Sequence, residues 1–107
     1  MARIALLSPD LLFGSKVEGG LRAAGHEVTM VGAEDADADL LVVDLVTTEF
    51  DDAVLARLGQ SGVTLGFYAH TDQEIRRRAE EAGFDLVVPR SRMAREMASL
   101  VDRLVPA

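Results

Sequence analysis

The stretch Asp39-Leu40-Leu41-Val42-Val43-Asp44-Leu45 decides the fold. It is apolar without alternation from Leu40 to Val43, the pattern of a strand buried on both faces, as in the centre of a parallel sheet. On either side, short apolar runs alternate with helical segments, and that alternation implies a parallel sheet with crossover helices. Upstream, Ile4 to Leu7 reads as strand one. Ser8 is placed to cap the next helix with Pro9 at its first position. Leu12, Phe13, Val17, Leu21 and Ala24 form that helix's apolar face, and Gly25 ends it. Glu27 to Val31 is strand two. The acidic, Ala-rich stretch from Gly32 to Asp39 has room for a turn or two of helix at most.

Downstream, Thr47-Thr48 precedes a short helix over Asp51 to Leu58 and is expected to cap it. Val63 to Ala69 is strand four. Thr71-Asp72-Gln73-Glu74 has the Thr-x-x-Glu form of a capping box, so a helix begins there and runs to Ala82 before Gly83. Asp85 to Val88 is strand five, with Pro89 at its end. Ser91 then caps a last helix with Met93, Met97, Leu100, Val101 and Leu104 on one stripe, which reads as core. The expected architecture is α/β: a doubly wound, five-stranded parallel sheet in the order 2-1-3-4-5, with helix two reduced or absent.

The 107 residues suffice for one domain, 1–107, and its core. Apolar residues make up 49% of the chain, with charges spread among them, a globular composition. No apolar run approaches the ~20 residues that cross a bilayer, and the N-terminal run is too short for a signal peptide. A cytoplasmic location is therefore expected. The absence of cysteine excludes disulfides and thiolate zinc sites, and the two histidines, His26 and His70, are too few for most metal centres. The net charge of −7 argues against nucleic acid and against anionic membranes. Arg76-Arg77-Arg78 lies among Glu74, Glu80 and Glu81, as a solvated helix face would.

Three segments carry a family resemblance. Ile4-Ala5-Leu6-Leu7-Ser8-Pro9-Asp10 through Leu21-Arg22-Ala23-Ala24-Gly25-His26-Glu27-Val28 resembles the opening of a bacterial response regulator receiver domain. Asp39 to Leu45 resembles its third strand, which ends in the phospho-accepting aspartate. Tyr68-Ala69-His70-Thr71-Asp72 through Ala82-Gly83-Phe84-Asp85 is similar to its fourth strand and helix. The likeness covers nearly the whole chain. It implies a flavodoxin-like fold and a part in two-component signal transduction or a phosphorelay.

The resemblance also implies a site. In the family, acids after strand one and the aspartate after strand three hold Mg²⁺, an ion that prefers oxygen ligands. A lysine after strand five helps neutralise the phosphoryl group, and a Thr or Ser after strand four bonds it. Counted from Gly25, the acid-pair positions fall on Ser8 and Pro9, neither of which is a carboxylate. Asp10 comes one step later, at the start of the helix, where its charge suits the dipole. Asp44 holds the acceptor position. Counted from Gly83, the Thr/Ser position is Tyr68 and the lysine position Arg90; a second register puts Val88 there. The expectation is no metal, no cofactor and no catalytic residue, with Asp44 a vestigial acceptor paired with Arg90. A residual phosphorylation site and a ligand-binding carboxylate remain the alternatives.

Ser8, Asp10, Thr47 and His70 are expected to share a crevice with Asp44, Tyr68 and Arg90 at the carboxyl edge of the sheet, where ligands bind in open α/β folds. A small-molecule binder or enzyme using that crevice is thus a further alternative. His26 falls on the opposite edge and reads as solvated. Gly14-Ser15-Lys16 and Gly19-Gly20 lack the phosphate-loop spacing and lie inside a helix, so close packing explains them better. The leading expectation is a pseudo-receiver signalling or adaptor domain that works by protein contact. In the family, partners or a second copy meet helix four, strand five and helix five. Here that face would carry Arg76, Arg77, Arg92 and Arg95, which would suit an acidic partner or a dimer.

Overall fold

The computed structural model describes residues 1–32 and 38–106. In chain order the elements are β1 (Arg3–Leu7), α1 (Leu11–Ala23), β2 (Glu27–Met30), β3 (Leu40–Asp44), α2 (Asp52–Gly59), β4 (Thr64–Tyr68), α3 (Gln73–Glu81), β5 (Leu86–Pro89) and α4 (Arg90–Leu104). The strands form one parallel sheet in the order β2-β1-β3-β4-β5. This is the expected doubly wound sheet. The described residues hold no helix between β2 and β3, in keeping with a reduced helix two; most of the acidic linker, 33–37, lies outside the described residues.

Strand β3 shows why the sheet needs helices on both sides. Leu40 and Val42 enter a cluster with Val17 and Leu21 of α1 and with Met93, Met97 and Leu100 of α4. Leu41 and Val43 point the other way, into a cluster with Leu55 and Leu58 of α2 and Ile75 and Ala79 of α3. With a side-chain period of two, an uninterrupted apolar strand supplies both layers at once. The same alternation puts Ser8, beyond Leu6, and Asp44, beyond Val42, on the α1–α4 side.

Small residues set how closely the helices approach. A Cβ on Gly20 would collide with the Met97 sulfur, so the glycine draws α1 onto α4. Gly14 has a similar part nearer the sheet edge, where a Cβ would stand 3.3 Å from Ser8 Oγ and 3.2 Å from the end of Met30. This is the close packing expected of the helix-one glycines. α4 itself is broken at Glu96, whose backbone (φ −127°, ψ 17°) leaves the helical region.

The caps differ from those expected. Asp10, not Ser8, caps α1, its Oδ1 accepting from the amides of Leu12 (3.1 Å) and Phe13 (3.2 Å). Pro9 therefore lies outside the helix. Asp51, not Thr47 or Thr48, caps α2 through the Val54 amide at 2.9 Å. The capping box at Thr71 does not form; Asp72 accepts from the Ile75 amide at 3.1 Å. Ser91 is already inside α4, which starts directly after Pro89 without a side-chain cap. The helices α1 and α3 start one or two residues later than the sequence suggests, at Leu11 and Gln73, and the aspartate just before each takes over the cap. Accordingly, Asp72→Ala is expected to cost about 1 kcal/mol of folding stability and Thr71→Ala only a few tenths, measured by urea denaturation.

Candidate functional site

Asp44 is the last residue of β3 and is only 1% exposed. The chain beyond it turns back so that Val46 N–H (2.8 Å) and Thr47 N–H (3.1 Å) both donate to Asp44 Oδ1. This is an Asx-type turn, the arrangement an aspartate makes with amides two and three residues on. The other oxygen, Oδ2, accepts from Thr47 Oγ1 at 2.6 Å and from Ser8 Oγ at 2.8 Å. A carboxylate has about four lone-pair sites. All four are filled, each by a neutral donor of the chain itself.

Ser8 is buried, and the missing side chain of Gly14 leaves room for its hydroxyl. It thus stands where the resemblance put an acid, and it donates to the aspartate instead of competing for a cation. The sequence reading places Ser8 and Thr47 in a crevice with Asp44, and the structure brings both hydroxyls onto its carboxylate. The Ser8 hydrogen bond itself is not in that reading, which also assigns Ser8 to a helix cap that Asp10 makes instead. The available signal was Asp44-Leu45-Val46-Thr47, an acid followed three residues on by a hydroxyl, which is a turn pattern as much as a catalytic one.

The expected Asp44–Arg90 ion pair is absent. Arg90 is the first residue of α4, and its guanidinium carbon lies 5.4 Å from the centroid of the Phe13 ring. Phe13 in turn packs tilted against Phe67, with the centroids 5.1 Å apart. With no loop between β5 and α4, the Arg90 stem turns onto α1, where a cation over a ring face is favourable.

The remaining predicted residues do not converge. Tyr68 is buried, but on the α2–α3 side, while its neighbour Phe67 faces α1 and pairs in register with Asp44. His70 is exposed after β4; its backbone oxygen accepts from Gln73 Nε2 at 2.8 Å, and its ring makes no polar contact among the described residues. Asp10 is committed to its cap and shares a shallow groove with Arg90. A cavity of about 340 Å³ does open beside β1 and α2; Ser8 and Arg57 line it along with Leu7, Val31, Phe50 and Val54, but Asp44 does not.

Two further expectations are corrected. His26 is not solvated: its side chain is 8% exposed, and Nδ1 accepts from the Ala2 amide at 3.1 Å. Leu12 is not on the buried face of α1. It is 87% exposed and Leu11 beside it 77%, because the helix starts two residues later than the expected cap allows.

Mg²⁺ is the ion that this kind of fold calls to mind, and the residues here do not fit it. The described residues include no group of three or more acids or histidines placed to hold a metal. Of the two aspartates near the first loop, one caps a helix and the other has no lone pair to spare.

Comparison of the structure with solved ones gives close matches in shape. It superposes on a response regulator receiver domain protein from Clostridium thermocellum with a TM-score of 0.80 at 13% identity, spanning 97% of this chain and 94% of that one. The fold is that of a receiver domain. A response regulator from Thermotoga maritima gives a TM-score of 0.78 at 14% identity, covering 98% of each chain. The non-phosphorylated HemR receiver domain of Leptospira biflexa gives 0.77 at 19%, covering 100% of this chain and 96% of that one. By sequence, no family model and no curated protein matches the chain. No helix among the described residues is long and apolar enough to cross a membrane.

On this receiver fold, the face expected to meet partners is α3–β5–α4, and its arginines are locally balanced. Arg76 lies 3.7 Å from Glu80, Arg92 3.5 Å from Glu96 and Arg95 3.7 Å from Glu96. Arg77 is bonded to Glu74 and, at 2.9 Å, to Glu81; the Glu74 hydrogen bond above all holds its guanidinium above the ordinary arginine range. The surface is a mosaic of ion pairs with little net positive charge.

Proposed function

We propose that this chain is a pseudo-receiver: a signalling or adaptor domain that works by protein contact in a fixed conformation, without Mg²⁺-dependent phosphorylation. The observation behind this reading is the saturated Asp44 carboxylate. Phosphoryl transfer needs a carboxylate oxygen free to attack in line, together with cations to offset the charge that accumulates. Asp44 has neither an open lone pair nor a cation within ion-pair distance among the described residues. Exposing an oxygen would mean breaking the Asx turn or displacing Ser8.

Protein contact at α3–β5–α4 would then proceed by exchange of ion pairs, with Arg76, Arg77, Arg92 and Arg95 leaving their own glutamates for a partner's or a second copy's. A soluble setting such as the cytoplasm suits a domain of this kind. An enzyme built on Asp44, His70 and Arg90 is disfavoured, because those three side chains do not meet.

The test is to incubate the protein with acetyl phosphate and Mg²⁺ and weigh it intact. The expected result is an unchanged mass. A stoichiometric gain of one phosphoryl group that is lost in Asp44→Asn would overturn the reading.

A further inference from the structure

Four side-chain cations stand outside the ion pairs of the described residues, Lys16, Arg57, Arg90 and Arg103, and of these Lys16 and Arg90 share a groove. Arg22, Arg76, Arg77, Arg78, Arg92 and Arg95 all lie against carboxylates of the chain. Lys16 and Arg90 do not: among the described residues neither forms an ion pair, and Arg90 rests on the Phe13 ring. These two cations line one groove between α1 and the start of α4, whose apolar floor comes from Leu12, Phe13 and Ala94. Leu12 at 87% exposure and Leu11 at 77% stand at its α1 end and, with Met1, are the most exposed large apolar residues described. Two adjacent leucines in water are a standing hydrophobic cost, and such patches mark interaction sites when they are rimmed by charge.

We propose that the α1–α4 groove is a docking surface for an acidic protein segment carrying apolar side chains, its leucines meeting Leu11 and Leu12 and its carboxylates meeting Lys16 and Arg90. The surface deepens the protein-contact reading and rests on it. Charge decides the occupant. The groove's unpaired side chains are both cations, so a symmetric second copy would set like charge against like charge across an isologous contact. Asp10 also borders the groove, but its carboxylate is taken up by the amides of Leu12 and Phe13.

The probe is a synthetic amphipathic peptide with leucine on one helical face and glutamate on the others, with a twin carrying lysine in place of glutamate. Amide shifts of the ¹⁵N-labelled protein report the site. The acidic peptide is expected to move Leu12, Phe13, Lys16, Ser91 and Ala94 and to bind at least about tenfold more tightly than its twin. Lys16→Glu with Arg90→Glu should abolish that preference. Leu12→Ser, at a position too exposed to affect folding, should weaken both peptides. No binding, binding elsewhere, equal binding of the twin, or concentration-dependent shifts of the groove without peptide would each overturn the assignment; the last would mean a second copy as occupant. Phosphorylation of Asp44 is read separately, by intact mass, and would sink the pseudo-receiver reading whatever the unphosphorylated protein does with the peptides, so the two failures are distinguishable.

Discussion

Asp44→Ala is expected to cost about 3 kcal/mol of folding stability, and Asp44→Asn about 1 kcal/mol. The alanine variant strands the amides of Val46 and Thr47 and the hydroxyls of Thr47 and Ser8 in one step. Thr47 is exposed enough for water to replace part of the loss, whereas Ser8 and the strand end are not. Asparagine keeps one oxygen for the two amides, and its NH₂ can donate to the hydroxyls, which accept as readily as they donate. The measurement is the urea midpoint at unchanged m value. An aspartate kept for reaction with solvent-borne phosphodonors would show the opposite pattern, with both variants near neutral. Equal stabilities for wild type and Asp44→Ala would show that the carboxylate holds nothing in place.

Gly59→Ala comes next in size, with an expected loss of about 2 kcal/mol. Gly59 ends α2, and a Cβ there would collide with the carbonyl oxygen of Ala82 and stand 3.3 Å from the carbonyl carbon of Gly83. Both obstacles are backbone, so no rotamer change relieves them; α2 and α3 must separate, loosening Leu58 and Ala79 between them. Overpacking of this kind costs up to about 3 kcal/mol, and the better helix propensity of alanine returns up to about 1. The internal control is Gly19→Ala in α1, where a Cβ would meet nothing within 4 Å. That variant should gain several tenths of a kcal/mol, so thermal melts of the two should shift in opposite directions.

The layered architecture was legible because it rests on periodicity. Leu40 to Val43 must bury two faces, and no arrangement other than helices on both sides of a parallel sheet accommodates that run alongside its neighbours. The order 2-1-3-4-5 followed from the same alternation and from the resemblance. The cap positions were less legible for a local reason. Ser8 and Asp10, or Thr71 and Asp72, lie within two residues of each other and are chemically competent alike; which one caps depends on where the preceding strand leaves the sheet. The site was legible in identity and not in partnership. Asp44 at the end of β3 could be placed from the apolar run before it, and the absence of acids at Ser8 and Pro9 could be counted from Gly25. The absence of a loop between Pro89 and Arg90 could not, and it is what sends the arginine onto Phe13 and leaves the aspartate to its own turn. Charge composition also misled: the arginines after residue 75 are numerous, but glutamates one helical turn away cancel most of them, while among the described residues Lys16 and Arg90, like Arg57 and Arg103, form no ion pair.

On the pseudo-receiver reading proposed above, a strand-end acid whose every lone pair is claimed by its own chain would keep no record of what happens around it. The strength of such a module's effect would then be set by dosage: how many copies are present, and how many of their exposed leucines are covered at a given moment.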